Sequence, residues 1–338
     1  MIYLSNFLHI SFTILITLIF IVYRKPIATK FNLIDRPEKD KIHKDATPIV
    51  ASFGIFFSFL YFYFLEISQG NINIDLIVFL CITMGSFILG LIDDKLKLSY
   101  KNKFAILIPL LFICILFSES FIISKYKFEV FKNIYTIENN ILSVLITCFF
   151  LLLLMNAINL IDGINGLALG IFIIWLGYFN FFLLDNFSLF LNIILISSLI
   201  TFYFIYKGKY FLGDSGSLFL SSMIGLLIIQ EYNLKINSSD VFFVENIFIL
   251  FMLPGYDMFR VFLFRTLNKK NPFIRSRDHL HDYLIKKLNL FTTLSIFFSY
   301  IVIFLFLYHL KIFGNVLLIF LSILTYFIIL YISHKKSH

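Results

Sequence analysis

Apolar runs long enough to cross a bilayer recur along this chain from one end to the other, and that recurrence limits what it can fold into. A helix rises 1.5 Å per residue, so about 30 Å of hydrocarbon takes roughly 17 to 25 apolar residues. Such runs are centred near residues 3–23, 49–65, 74–92, 104–123, 140–155, 167–184, 187–206, 216–231, 241–263, 291–309 and 314–332. They are continuous rather than alternating, which argues against a barrel. A chain of 338 residues that is 60% hydrophobic and 14% charged also lies outside the range of soluble domains. The opening run "MIYLSNFLHISFTILITLIFIVYR" lacks a basic leading region and is long enough to span, so it reads as a first transmembrane helix and not a cleaved signal. The expected fold is all-α: a polytopic integral membrane protein with about eleven transmembrane helices, forming one domain over residues 1–338. Cys81, Cys114 and Cys148 stand singly inside apolar runs, so no disulfide or metal framework follows from them.

The net charge of +8 is explained by placement. Of the 28 Lys and Arg residues, 23 fall in one alternating set of inter-span segments: 24–48, 93–103, 156–166, 207–215, 260–290 and the tail 333–338. The opposite set holds only Lys125, Lys127, Lys132, Lys235 and Lys311. The positive-inside bias makes the first set cytoplasmic, with the N-terminus outside and the C-terminus inside. The basic balance then reports orientation, and no nucleic-acid partner is needed to account for it.

Every unusual polar cluster falls on that same expected face. Asp93 and Asp94 adjoin at the end of a span, where two like charges are costly near lipid and call for a cation, a proton or exposure. A solvated helix end would also explain them. Asp162 and Asp214 lie at the same face, set among Gly163, Gly166, Gly213 and Gly216. Carboxylates from separate loops suit Mg²⁺, which binds few of them and leaves its other positions to water and phosphate. The glycines would let backbone amides approach phosphate oxygens, although packing between membrane helices also selects small residues. Four of the six arginines (Arg260, Arg265, Arg275, Arg277) crowd into one 18-residue stretch, and Arg favours bidentate phosphate contact. His279 and His281 follow, either as an interfacial pair without chemistry or as part of a site if that loop folds over the acidic mouth. The combination points to a diphosphate bound through Mg²⁺.

These stretches, "DRPEKDKIHKDATP", "GLIDDKLKLS", "NAINLIDGINGLA", "FLGDSGSL", "LPGYDMFRV" and "RDHLHDYL", together resemble the polyprenyl-phosphate N-acetylhexosamine-1-phosphate transferases over about residues 33 to 284. One branch of that family starts cell-envelope glycans such as O-antigen and teichoic acid, and another is phospho-N-acetylmuramoyl-pentapeptide transferase. The resemblance implies that a lipid phosphate, undecaprenyl phosphate in bacteria, attacks the β-phosphorus of a UDP-sugar and releases UMP. It implies an inner-membrane enzyme with a cytoplasmic active site and Mg²⁺, or Mn²⁺ in its place, as cofactor. A homodimer is compatible with it. By the same analogy Asp93, Asp94 and Asp162 are catalytic and Asp214 is the metal ligand. Asn156 and Asn159 would face the nucleotide sugar, and Phe211 would stack on uracil. Arg275, Arg277, His279 and His281 would contact the diphosphate and sugar.

Three positions depart from the family pattern. The early segment reads "ATPIVASFG" where a Pro-Thr-Pro and a Gly-Gly pair are usual, Lys97 stands at a site often basic in the muramoyl branch, and Asp282 stands where a third His is common. The spaced His-x-His of "RDHLHDYL" favours a UDP-N-acetylhexosamine over the muramoyl-pentapeptide nucleotide. A secondary transporter is the alternative from another class. Transporters place ionisable groups near the bilayer midplane, often with repeated halves, and neither feature is evident here. A scaffolding membrane protein has no use for carboxylates paired with arginines.

Overall fold

The computed structural model describes residues 2–36, 45–131, 133–182, 188–237, 242–271 and 277–335. Each of the eleven expected spans falls on a helix. In chain order the helices are α1 (Ile2–Val22), α2 (Arg24–Phe31), α3 (Ala51–Ser68), α4 (Ile74–Leu96), α5 (Tyr100–Ile115) and α6 (Asn140–Ile161). They continue with α7 (Leu167–Phe182), α8 (Ser188–Tyr206), α9 (Gly213–Lys235) and α10 (Val244–Leu267). A short α11 (Leu280–Ile285) precedes α12 (Leu290–His309) and α13 (Asn315–Lys335). A 3₁₀ turn (Glu119–Phe121) and two small antiparallel pairs complete the described elements: β1 (Ile34–Asp35) with β2 (Thr47–Pro48), and β3 (Lys125–Lys127) with β4 (Ile134–Thr136). The protein is thus an all-α polytopic membrane protein.

Among the described residues eight helices are long and apolar enough to cross a membrane, or nine if α1 and α2 count together as one span bent by 62°. The difference from eleven has local causes. Helix α5 carries Pro109 and ends at Ile115, short of the expected 123, because the chain then turns through a 3₁₀ segment at Glu119–Phe121. Helix α7 has 16 residues. Helix α2 is polar, "RKPIATKF", and departs from the line of α1 at Tyr23.

The chain divides into two compact units. The first comprises Met1–Leu110 and Ala168–Met223. Here α1, α3 and α8 pack closely because small residues let them: a Cβ on Gly54 would sit 3.2 Å from the Thr17 methyl, and the Thr17 and Ser197 hydroxyls share a hydrogen bond of 2.8 Å. Phe56 stacks on Phe87 with ring centroids 3.7 Å apart, and Phe59 and Phe219 close the same aromatic core. The β1–β2 pair leads into α3, and the segment before α9 is bonded to it. The Phe211 N–H donates to Pro48 O at 2.8 Å, and the Ala51 N–H donates to Phe211 O at 3.1 Å. That is how the "ATPIVASFG" stretch packs.

The second unit comprises Leu111–Leu167 and Ile224–His338. Its core is built on α10 against α6, α12 and α13. The β3–β4 hairpin is held by polar side chains. Tyr232 Oη accepts from the Lys127 N–H and donates to Lys125 O, both at 3.1 Å. Glu245 accepts the Glu129 N–H, and Glu129 in turn accepts the Asn315 N–H at 2.6 Å, placing an anion at the start of α13.

Candidate active site

Asp93 and Asp94 end α4, and the start of α9 lies directly against them. Gly90 makes that approach feasible, since a Cβ there would collide with the Ser215 backbone. Gly213 takes φ +75°, a left-handed turn that points the first amides of α9 back at α4. Asp94 receives both: the Asp214 N–H donates to Oδ1 at 2.7 Å and the Ser215 N–H to Oδ2 at 3.0 Å. Orphan N–H groups and the positive end of the helix dipole are thereby matched by a carboxylate. Asp94 is an anionic cap on α9.

Asp93 is built differently. Its Oδ1 accepts the Leu98 N–H at 2.7 Å, bracing the turn after α4, where Lys97 closes the helix in the left-handed conformation. Its Oδ2 meets the ammonium of Lys103, which also donates to Asp214 Oδ2 at 2.7 Å. Two carboxylates from separate helices therefore converge on one cationic position. Asp93 is only 6% exposed, whereas Asp214 is 32% exposed, so the cluster is anchored at one end and open at the other. Among the described residues no three metal-ligating side chains gather as a complete protein cage. The donor set still fits Mg²⁺, which needs only one or two carboxylates and takes substrate phosphate oxygens for the rest. Phe211 lies half-buried two residues before Gly213, its backbone pinned as described.

The other expected residues lie in the second unit. Asn156 and Asn159 are not in a loop: α6 runs to Ile161 and Asp162 caps its end. "NAINLI" contains no Gly or Pro, so the helix breaks only where Gly163 and Gly166 follow, the latter at φ +86°. Spacing of three places Asn156, Asn159 and Asp162 along one side of the final turns. Asn156 Nδ2 lies 3.4 Å from the Met258 sulfur. A Cβ on Gly163 would collide with His281 Nε2, so the motif glycine makes room for the second histidine.

His279 and His281 are both buried and stack with centroids 5.5 Å apart and planes within 5°. Asp282 accepts the His279 N–H at 3.2 Å, fixing the start of α11, and its Oδ2 lies 3.7 Å from His281 Nε2. Asp257, on α10, accepts from His279 Nδ1 at 2.7 Å. Arg260 pairs with Asp257 at 2.9 Å, and Arg265 faces Asp278 at 3.7 Å. Two of the four clustered arginines thus serve contacts within the protein. Arg277 is exposed, and Arg275 lies outside the described residues. Lys103 and Asp257 are the site residues that sequence reasoning did not assign.

Residues 76–231, the stretch holding "GLIDDKLKLS", "NAINLIDGINGLA" and "FLGDSGSL", match glycosyl transferase family 4. Over that stretch the chain is similar to the family. Among the proteins it is similar to is a probable undecaprenyl-phosphate N-acetylglucosaminyl 1-phosphate transferase of Bacillus subtilis, 28% identical over 77% of this chain and 72% of the relative. An undecaprenyl-phosphate α-N-acetylglucosaminyl 1-phosphate transferase of Thermotoga maritima is 27% identical over 82% of this chain and 81% of its own length. A phospho-N-acetylmuramoyl-pentapeptide-transferase of Borrelia turicatae is 28% identical over 66% of this chain and 72% of its own. Proteins named for N-acetylglucosaminyl 1-phosphate transfer and for phospho-N-acetylmuramoyl-pentapeptide transfer are thus both among those the chain resembles.

Proposed function

We propose that the chain transfers an N-acetylhexosamine-1-phosphate from a UDP-sugar to undecaprenyl phosphate, at the cytoplasmic face of a bacterial inner membrane. An oxygen of the lipid phosphate forms a bond to the β-phosphorus of the UDP-sugar, and the bond from that phosphorus to the bridging oxygen breaks. UMP leaves with the electron pair, and the product is a lipid diphospho-sugar. The observation that carries this reading is the convergence of Asp93 and Asp214 on the Lys103 ammonium, a cation position shared by two carboxylates. Asp214, with Asp93 beside it, would hold Mg²⁺, which supplies positive charge to the phosphoryl oxygens. Lys103, beside both carboxylates, would pair with a phosphate oxygen, and Asp94 keeps the α9 amides in place. Positioning and charge stabilisation are most of what phosphoryl transfer asks of a protein. Arg277, His279 and His281 are assigned to sugar-diphosphate contacts, and Phe211 to uracil.

The muramoyl-pentapeptide branch is the second reading, favoured by the Borrelia relative and by Lys97. The experiment that separates them is UMP release by purified protein in detergent, with Mg²⁺ and a polyprenyl phosphate, over a panel of UDP-sugars. Turnover with UDP-N-acetylglucosamine or another UDP-N-acetylhexosamine, and little with the muramoyl-pentapeptide nucleotide, is expected. The opposite order in kcat/KM moves the protein to the other branch, and no UMP from any donor rejects the transferase reading.

A further inference from the structure

Asp257 sits in α10 two residues beyond Gly255 and is 2% exposed. A carboxylate so enclosed must have its oxygens satisfied, and here every bond is assigned to an atom. Oδ1 accepts three donors: the Tyr326 hydroxyl at 2.7 Å, Arg260 Nη2 at 2.9 Å and the Leu280 N–H at 3.1 Å. Oδ2 accepts one, His279 Nδ1 at 2.7 Å. The division of labour is clean. One oxygen ties α10 to α13 and to the start of α11, and the other addresses a single imidazole nitrogen.

A carboxylate only accepts, so the short contact fixes the proton of that ring on Nδ1. Arg260 already balances the Asp257 charge, so the imidazole is not required to be cationic to satisfy it. In the neutral ring Nε2 then carries the lone pair. The fixed orientation is reinforced by the parallel His281 ring and by Asp282, which holds the His279 backbone.

We infer that Asp257 is a positioning residue that locks His279 in its Nδ1–H tautomer, leaving Nε2 as the ring atom offered to substrate. In that state Nε2 accepts a hydrogen bond, which suits a hydroxyl or acetamido N–H of the sugar. The role at substrate rests on the transferase reading above, whereas the tautomer does not.

Asp257→Asn is a nearly isosteric test because its remaining oxygen keeps the three Oδ1 bonds and its NH₂ replaces Oδ2. The amide then donates to Nδ1, so the ring proton must move to Nε2. Nitrogen-15 NMR of histidine-labelled protein in bilayers, with the His279 signal assigned through its loss in His279→Gln, reads this directly. The parent is expected to show protonated Nδ1 and the Asn variant protonated Nε2. In the UMP-release assay Asp257→Asn should lower kcat on the order of ten- to a hundredfold, the size of loss seen when the carboxylate behind a metal-ligating histidine is changed. In a double-mutant cycle with His279→Ala, the second substitution should add less than about twofold, because Asp257 acts through that ring. A parent ring protonated on Nε2 alone, an unchanged tautomer in the variant, or full additivity of the two losses each overturns the inference. If no donor yields UMP, the transferase reading fails and the NMR tautomer alone decides. If the Asn variant does not fold, the tautomer of the parent decides.

Discussion

Adjacent carboxylates at 93 and 94 look interchangeable in sequence, yet they face different partners, and the difference is testable. Asp94 spends one oxygen on each of two α9 amides, so Asp94→Asn leaves one N–H facing an NH₂ group. The expected cost is about 1–2 kcal/mol of stability, the size of a lost cap and an unpaired donor. It should appear as a lower unfolding midpoint in detergent, together with reduced UMP release. Asp214→Asn should behave in the opposite manner. Its side chain is partly open and meets Lys103, so the unfolding midpoint should hold while most activity disappears at every magnesium concentration. Near-parental turnover by Asp214→Asn would reject it as the metal ligand. The three aspartates were legible because ionised groups are conspicuous in so apolar a chain. Lys103 was not, because one more lysine in a basic loop is indistinguishable from the orientation signal. Asp257 was quoted within its motif but given no role, since nothing in sequence reveals that Arg260, Tyr326 and His279 all meet it.

At the level of elements, the sites depend on how helices begin and end. Helix α9 starts at Gly213, whose φ of +75° turns its first two amides onto Asp94, and a Cβ there would also lie 2.7 Å from Asp94 Oδ2. Gly213→Ala therefore meets both a conformational cost of about 1–2 kcal/mol and a clash with the cap. Thermal unfolding should shift down, and the KM for Mg²⁺ should rise, because Asp214 follows immediately. A change in neither would mean that the turn is not what orients the carboxylate. Apolar runs located every long helix but placed their ends poorly, and the reasons are specific. Asparagines in "NAINLI" read as a loop, whereas α6 carries them as helix to Ile161 and breaks only at the glycines. The turn after Ile115 ends α5, although apolar residues continue past it. Contact across a helix, such as Gly163 against His281, has no one-dimensional trace at all.

For the whole molecule, the exposed apolar side chains and the basic residues give independent constraints. Large hydrophobics such as Phe149, Phe306 and Phe320 are about 60% exposed on long helices, as expected of surfaces that face lipid chains. They establish a membrane protein but are silent on which end is which. Orientation rests on charge alone, 23 basic residues against 5, and the bias acts through Lys and Arg near span ends and not through net charge. The prediction follows from two exposed positions. Val130, 62% exposed beside β3, belongs to the segment poor in basic residues, and Leu267, 81% exposed at the end of α10, opens the basic loop that leads to the histidines. In a background with Cys81, Cys114 and Cys148 replaced, Val130→Cys should react with an impermeant thiol reagent in intact cells. Leu267→Cys should react only after the membrane is permeabilised. UDP-sugars are made in the cytoplasm, so the same result bears on function: a donor can reach the histidine loop only if Leu267→Cys is protected from outside. Labelling of Leu267→Cys in intact cells, with Val130→Cys shielded, would invert the topology and remove the proposed route of the nucleotide sugar.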